Sequence, residues 1–295
     1  PSPGPGFWRP GEIRKALKYG MIGQGESIVD KLTVARAAGF AGVEFDAPSD
    51  LDTDEILAAR DRAGIEIPGV VGSMHWSKPL SHPDAGVRTE GRHALERAIL
   101  TCRDLGGTAV LLVPGVVNGE ISYRDAWDRS ISEIRRVLPL ARDVGVQIAL
   151  ENVWNNFLLS PIEAARYVDE LRQTVGVPEH IRGVDGMARP PVGWYFDVGN
   201  VWHYGWPAHW LEALRRNRVA RLDIKGYSRA KADKEGKWAG FGVEIGDGDV
   251  PWASVRDWIR ETAWSGWATA EVGGGDAARL KEISERMDRV LGLEG

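Results

Sequence analysis

Carboxylates at the ends of apolar runs are the residues of this sequence best suited to do chemistry. Four successive apolar stretches each carry an acid at or near their C-terminal end, namely Glu151, Asp197, Asp223 and Glu271. A single acid in such a place is often a helix cap or a partner in a salt bridge, but four in succession are harder to explain in that way. If the fold gathers them, their mutual repulsion and burial push some toward the neutral form.

A divalent cation removes this conflict. Ligand sets made only of oxygen suit a hard ion such as Mg²⁺ or Mn²⁺ better than zinc. The sequence therefore predicts one divalent metal ion, Mn²⁺ or Mg²⁺, held by Glu151, Asp197, Asp223 and Glu271.

The stretch "RLDIKGY" at 221–227 places an acid and a base on one side of a strand. Side chains two residues apart in a strand share a face, so Asp223 and Lys225 point the same way, with Arg221 behind them. Lys225 could offset a further negative charge in a metal-centred polar site.

The elements that must position these residues alternate regularly along the chain. Short strand-like runs are each followed by a helical stretch, which implies parallel strands. Eight such units in 295 residues favour a closed (β/α)₈ TIM barrel in a single domain over an open sheet. We expect residues 1–17 to be an N-terminal tail and residues 18–295 the barrel. The predicted strands lie at 18–23, 42–48, 66–76, 108–115, 146–153, 192–200, 219–227 and 267–274.

Other strand ends supply candidates for substrate binding, because the active site of such a barrel lies at the C-terminal ends of its strands. Glu44 and His75 end the second and third strands, although Glu44 could instead pair with a nearby Lys or Arg and His75 could pack locally. Trp76 and Trp154 follow strands, where aromatic faces often meet sugars, whereas most of the thirteen Trp are expected to pack in the core and rim. Asn200 completes the predicted substrate-binding set.

The composition narrows the class of protein. A net charge of −5 and a pI near 5.8 argue against a nucleic-acid surface. A lone cysteine, Cys102, rules out an internal disulfide and a cysteine-cluster metal site. No apolar run reaches the length of a membrane span. We expect a soluble cytoplasmic protein that acts on a small molecule, with an export signal removed before Pro1 as the alternative. The sequence leaves open whether it forms a homo-oligomer.

Taken together, these stretches resemble the xylose-isomerase-like barrel superfamily of sugar isomerases and epimerases. The resemblance is strongest to the branch of L-ribulose-5-phosphate 3-epimerase and hexulose-6-phosphate isomerase, and it runs from about residue 18 to 290. It is carried by "GFAGVEFDAPS" (39–49), "LLVPG" (111–115), "ALENVWNNFLLSP" (149–161), "YFDVGNVWHYG" (195–205), "RLDIKGY" (221–227), "IGDGDVPW" (245–252) and "AEVGGG" (270–275).

The resemblance implies a mechanism. One divalent metal is held at positions matching Glu151, Asp197, Asp223 and Glu271, and the two glutamates are the acid–base pair. One takes a proton from the carbon next to a carbonyl and the other returns one, by way of an enediolate. With Lys225, these glutamates form the predicted catalytic set. The expected substrate is a sugar or a sugar phosphate.

One departure from relatives bears on the chemistry. Their seventh strand usually reads histidine, hydrophobic, lysine, aspartate, but here Asp223 and Gly226 stand where the histidine and the aspartate would be. A keto-sugar or keto-inositol dehydratase or lyase, and a sugar-binding barrel without catalysis, are therefore alternatives. Apurinic endonucleases share the fold but need many histidines, and this chain has six. Lys231, Lys234 and Lys237 could bind a substrate phosphate or form a solvated face.

Overall fold

Eight parallel strands close into one barrel in the computed structural model, which describes residues 8–294. Neighbours around the barrel run β1–β8–β7–β6–β5–β4–β3–β2. This is the single-domain (β/α)₈ architecture that the alternation of strands and helices predicts. The barrel strands are β1 (Ile13–Lys18), β2 (Gly42–Ala47), β3 (Gly69–Gly72), β4 (Ala109–Leu112), β5 (Gln147–Glu151), β6 (Val192–Asp197), β7 (Val219–Ile224) and β8 (Gly266–Ala270).

The first strand lies earlier in the chain than predicted. The sequence predicts it at 18–23, but β1 begins at Ile13, and Ile13 and Leu17 pair with Gly266 and Ala270 of β8. The sequence does not predict this strand because its basic residues interrupt the apolar pattern. In the structure their charges are neutralised by partners from other elements, and Lys15 Nζ, for example, lies 2.6 Å from Asp288 Oδ2. The barrel therefore starts before the predicted boundary at 18, and residues 1–7 of the predicted tail lie outside the described part of the chain.

Helices connect the strands and cover the barrel. Several begin at the residues that cap helices best. Ser27 accepts a hydrogen bond from Asp30 N while the Asp30 carboxylate accepts one from Ser27 N, which forms a capping box. The helices are α1 (Ile28–Ala37), α2 (Thr53–Ala63), α3 (Ala85–Asp104), α4 (Tyr123–Val144), α5 (Pro161–Arg172), α6 (Val198–Tyr204), α7 (Pro207–Arg218), α8 (Arg229–Glu235), α9 (Trp252–Thr262) and α10 (Ala277–Leu291).

The segment after β7 is more structured than predicted. The sequence predicts a loop over 228–249, yet it contains α8 and a 3-10 helix at Lys237–Phe241. A short antiparallel hairpin, Ile181–Arg182 with Ala188–Arg189, lies between α5 and β6. None of the helices within residues 8–294 is long and apolar enough to cross a lipid bilayer.

The core has two parts with different chemistry. The main apolar core contains residues of both the helices and the strands, with Trp194 and Trp210 among its largest fully buried side chains. Inside the barrel, a small apolar cluster includes Leu111 and Tyr195. The barrel interior also contains buried polar side chains, of which Asp223 and Thr269 are fully buried. The side of the strands that faces the helices is therefore apolar, whereas the inside of the barrel contains charged side chains along part of its axis.

Candidate active site

Four carboxylates meet at the C-terminal mouth of the barrel. Glu151 ends β5, Asp197 ends β6, Asp223 is the penultimate residue of β7, and Glu271 directly follows β8. Each offers one oxygen, and these four oxygens all lie within 4.8 Å of one another. Asp197 and Asp223 are direct partners across neighbouring strands. The predicted metal ligands are thus brought together by barrel closure.

The carboxylates differ in exposure. Asp197 and Asp223 are fully buried and Glu151 is 6% exposed, whereas the side chain of Glu271 is 42% exposed. Of the four, Glu271 is therefore the one whose side chain is open to the mouth of the barrel.

Asn152 and Asn200 fix the end of β6. Asn152 Oδ1 accepts hydrogen bonds from Asp197 N (2.9 Å) and Trp194 Nε1 (3.0 Å), and its amide donates to Asp197 O (2.8 Å). Asp197 Oδ1 in turn accepts a hydrogen bond from Asn200 N (2.7 Å) and caps α6. One carboxylate oxygen of Asp197 is therefore used by the cap, and Oδ2 faces the site.

Two lysines supply positive charge. Lys225 Nζ lies 2.8 Å from Asp197 Oδ2 and 2.6 Å from Glu271 Oε2. Lys18 Nζ, at the end of β1, lies 3.4 Å from Asp223 Oδ1 and 3.0 Å from Glu44 Oε2. Each lysine thus joins two strands through their carboxylates.

Burial and the neighbouring charges give the four carboxyl groups of the cluster different pKa values. Burial, with repulsion from neighbouring carboxylates, raises the pKa of Glu151 well above its ordinary value. Burial raises the pKa of Asp197 to about 6 even though Lys225 opposes this, and burial likewise raises the pKa of Asp223 despite Lys18. Burial also acts to raise the pKa of Glu271, but the ammonium groups of Lys225 and Lys18 outweigh it and lower that pKa overall.

The side chains fit a divalent cation. Three buried carboxylate oxygens (Asp197 Oδ2, Asp223 Oδ1 and Glu271 Oε2) each contact a lysine ammonium but accept no well-formed hydrogen bond among the described residues. Each therefore has lone pairs left to offer a cation. When all five carboxyl groups are ionised, Glu44 and the four cluster acids carry two more negative charges than Lys18, Lys225 and Arg221 compensate. A doubly charged hard ion would neutralise them and would lower the pKa of each ligand.

Glu44 lies beneath the mouth, inside the barrel. It is 1% exposed, and Oε1 lies 3.2 Å from Arg221 Nη1. Tyr195 donates a hydrogen bond of 2.8 Å to its Oε2. Arg221 is itself 3% exposed and also donates to Thr108 Oγ1 and Pro68 O. The pairing with Lys or Arg that sequence offers as the alternative for Glu44 is therefore present, because the strand face that carries Arg221 and Asp223 points into the barrel.

A cavity of about 520 Å³ opens above the carboxylates, and it is lined by every residue predicted to bind substrate: Glu44, His75, Trp76, Trp154 and Asn200. These residues occupy different places in it. Trp76 is 53% exposed at the rim, whereas Asn200 is buried and donates a hydrogen bond of 3.0 Å to Asn152 O. Burial lowers the pKa of His75 to about 4, so its imidazole is neutral at pH 7. A neutral imidazole can accept a hydrogen bond from a sugar hydroxyl or donate one to it.

Aromatic side chains form one wall of the cavity. Trp154 donates a hydrogen bond of 3.0 Å from Nε1 to Asn200 O, and its ring centroid lies 4.6 Å from that of Trp238 and 4.8 Å from that of Phe241. Trp238 and Phe241 come from the 3-10 helix after β7.

Sequence reasoning missed Lys18 and Trp238, both of which line this cavity. Lys18 is the last residue of β1, and finding it requires the correct first strand. Trp238 lies in a Lys- and Gly-rich segment with no periodic pattern, so the sequence carries no signal for its position. Of the lysines considered for phosphate, Lys231 donates to Gly242 O at 2.9 Å, and Lys234 and Lys237 are exposed outside the cavity.

Comparison with known proteins identifies the class to which this fold and site belong. Residues 32–290 match the family described as "Xylose isomerase-like TIM barrel". Because the match covers most of the chain, the protein belongs to that family.

Individual relatives are distant. A protein of Escherichia coli (strain K12), provisionally named L-ribulose-5-phosphate 3-epimerase SgbU, is 22% identical over 251 residues, which is 80% of this chain and 80% of the relative. The solved structure of an L-ribulose 3-epimerase superposes with a TM-score of 0.72 at 15% identity and covers 95% of both chains. A D-tagatose 3-epimerase-like protein gives 0.73 at 18% identity and covers 95% of this chain and 99% of its own. At such identities the structural likeness establishes the fold.

Proposed function

We propose that this protein is a divalent-metal-dependent sugar isomerase or epimerase. It moves a proton at the carbon next to a carbonyl, by way of an enediolate. The observation that carries the proposal is the convergence of Glu151, Asp197, Asp223 and Glu271, whose ligand oxygens lie within 4.8 Å of one another under an open cavity. The family and its epimerase relatives agree with this chemistry.

The two glutamates are suited to opposite roles. Glu271 is partly exposed and its carboxylate is held ionised by Lys225 at 2.6 Å, so it acts as the base. Glu151 is buried at the end of β5 in the same cluster, so it is the second carboxyl group and acts as the acid that returns a proton. They come from β5 and β8, three positions apart around the barrel, so they can approach a bound sugar from different sides.

The other charged groups have supporting roles. Glu151, Asp197, Asp223 and Glu271 would hold the cation, which would supply Lewis acidity toward a carbonyl oxygen. Lys225 keeps Glu271 in place and offers positive charge to the negative charge that develops on substrate oxygen. Lys18 holds Asp223 in the ligand set and neutralises part of its charge.

The test is isotope exchange. Protein supplied with Mn²⁺ or Mg²⁺ is incubated in D₂O with a panel of ketoses, ketose phosphates, keto-inositols and glycosides of keto-sugars. Deuterium at the carbon next to the carbonyl, without loss of water, is expected for at least one of them. A product of lower hydration would instead indicate a dehydratase, and absence of both metal and exchange would indicate a binding protein.

A matched pair of variants tests the acid–base role. Glu271→Gln keeps the size of the side chain but cannot take a proton, so exchange should fall by about 10²–10⁴-fold. Glu285→Gln makes the same change on the outer surface, where the side chain is 57% exposed, and should leave exchange unaltered. Full exchange in Glu271→Gln with a folded protein would contradict the assignment.

A further inference from the structure

Lys18 brings a fixed positive charge into contact with the carboxylate cluster. Its Nζ lies 3.4 Å from Asp223 Oδ1 and 3.0 Å from Glu44 Oε2. The same atom lies 4.7 Å from the centroid of the Tyr195 ring, and only 15% of the side chain is exposed. An ammonium group between two acids and an aromatic ring has little freedom to move away when the charge around it changes.

Glu44 is itself held in place. It is 1% exposed, Oε1 lies 3.2 Å from Arg221 Nη1, and Oε2 accepts a hydrogen bond of 2.8 Å from Tyr195. Because a buried charge without its partner is strongly unfavourable, Glu44 keeps the ammonium group of Lys18 beside Asp223.

The other lysines near the mouth are placed differently. Lys225 Nζ lies 2.6 Å from Oε2 of Glu271, a side chain that is 42% exposed. Lys237 is exposed, with Nζ 5.7 Å and 5.5 Å from the centroids of the Trp154 and Trp238 rings, so water screens its charge. Of these three lysines, Lys18 is therefore the one whose acidic partners are both buried.

The charge of Lys18 decides how much negative charge a bound cation meets. With every carboxyl group ionised, Glu44 and the four cluster acids exceed Lys18, Lys225 and Arg221 by two negative charges. Without Lys18 the excess would be three. The interaction energy between a fixed charge and an ion is proportional to the charge of the ion. Lys18 therefore opposes a trivalent ion about one and a half times as strongly as a divalent ion at the same place.

We propose that Lys18 is a specificity-determining residue that selects the charge of the bound cation. It favours a divalent ion at the carboxylate cluster over a trivalent ion of the same size. This inference rests on the proposed function for the presence of a metal ion, but it can be tested by ion binding without any substrate.

The experiment compares Ca²⁺ with Tb³⁺, two hard ions of similar size that prefer oxygen ligands and differ by one unit of charge. Calorimetry of protein freed of divalent cations gives the Kd of each ion, and Tb³⁺ luminescence excited through tryptophan gives a second measure. The quantity compared is the ratio of the Kd of Ca²⁺ to that of Tb³⁺. Displacement of protons from the ligands affects both ions alike, so it cancels in this ratio.

Variants of Lys18 locate the effect. Lys18→Met removes the charge and keeps most of the apolar stem, so the ratio should rise by about tenfold or more in favour of Tb³⁺. Lys18→Arg keeps the charge and should keep the ratio of the wild type. Lys15→Met is the matched control, since Lys15 lies on the same strand but its Nζ contacts Asp288 (2.6 Å) and Ser284 Oγ (2.7 Å) of α10, and the ratio should not change.

A second series covers the case in which Lys18→Met does not fold. Asp223→Asn lowers the excess of negative charge by one, so its ratio should lie below that of the wild type. Lys18→Met combined with Asp223→Asn restores the excess of two, so its ratio should lie above that of Asp223→Asn alone. Equal ratios in these two proteins would overturn the inference.

Failure of the inference and failure of the proposed function give different results. If both ions bind but Lys18→Met leaves the ratio unaltered, or weakens both ions equally, Lys18 does not select ion charge and the metal-dependent chemistry still stands. A role of Lys18 in substrate binding alone would change KM and leave the ratio unaltered, which also overturns the inference. A ratio that responds as expected in a protein that exchanges no deuterium would support the inference while the proposed chemistry falls. If neither ion binds to the wild type, the inference is overturned together with the proposed metal dependence.

Discussion

In protein stripped of divalent cations, Asp197 should make stability fall as the pH rises from 5 to 7.5. The comparison is with an Asp197→Asn variant, so that the opposite effect of His75, whose pKa burial lowers from 6.5 to about 4, cancels. The carboxyl group of Asp197 is fully buried. Burial raises its pKa from an ordinary 3.8 to about 6. Between these two values the folded state binds more protons than the unfolded state, so the free energy of unfolding decreases with increasing pH. The stabilisation is complete below pH 3.8 and is lost as the pH passes 6.

The size of the effect follows from the shift. Integrated from pH 5 to 7.5, the titration of Asp197 alone lowers the free energy of unfolding by about 1–2 kcal/mol. Glu151 and Asp223 shift in the same direction, whereas His75 acts with the opposite sign, and all three are present in both proteins compared. At about 2 °C per kcal/mol for a chain of this size, the Tm of metal-free wild-type protein should fall by about 2–4 °C relative to that of Asp197→Asn.

Metal should reverse the trend. A cation at a hundred times its Kd adds about 2.7 kcal/mol, or about 5 °C, at pH 7.5. At pH 5 it must displace protons from its ligands, so the gain should be smaller. Calorimetry of EDTA-treated protein, with and without added Mn²⁺ or Mg²⁺, at both pH values measures all four states.

The control variant is Asp197→Asn, whose amide oxygen can still accept the hydrogen bond from Asn200 N that caps α6. Its metal-free Tm should lack the fall that Asp197 contributes between pH 5 and 7.5, and metal should protect it less. The reasoning would be refuted by the same change of metal-free Tm with pH in both proteins, by equal protection at both pH values, or by full protection in Asp197→Asn.

Two further predictions concern stability away from the metal ligands. Glu44→Gln should lower the free energy of unfolding by about 3–5 kcal/mol in urea titrations, because it leaves Arg221, only 3% exposed, without its carboxylate; a loss below 1 kcal/mol would show that the pair is not structural. Ser27→Ala should cost about 0.5–2 kcal/mol by removing the hydrogen bond to Asp30 N, while Ser27→Asp should retain most of the cap, and equal losses in the two variants would contradict a capping role.

Much of the architecture can be predicted from local pattern. The alternation of strand and helix with eight repeats identifies the barrel, because parallel strands need helical crossovers. β1 is the exception, because its basic residues interrupt the apolar pattern of a strand. Their charges are neutralised by residues distant in sequence, such as Asp288. The regular structure of the segment 228–249 is also not predictable from the sequence pattern. Its 3-10 helix packs through Trp238 and Phe241 against Trp154, which is remote in sequence.

The active site was likewise predictable from the sequence only in part. Sequence alone determined which residues could form the acidic cluster, because strand ends in a parallel barrel meet at one mouth. Only the tertiary structure decided how the charges are balanced. Lys18 from β1 reaches Asp223 on β7, and Arg221 on that strand reaches Glu44 on β2, over separations of 205 and 177 residues. Such pairings depend on barrel closure and side-chain direction, and no local preference of the chain encodes them. The same holds for the cavity above the carboxylates, which exists only once elements far apart in sequence have packed around it.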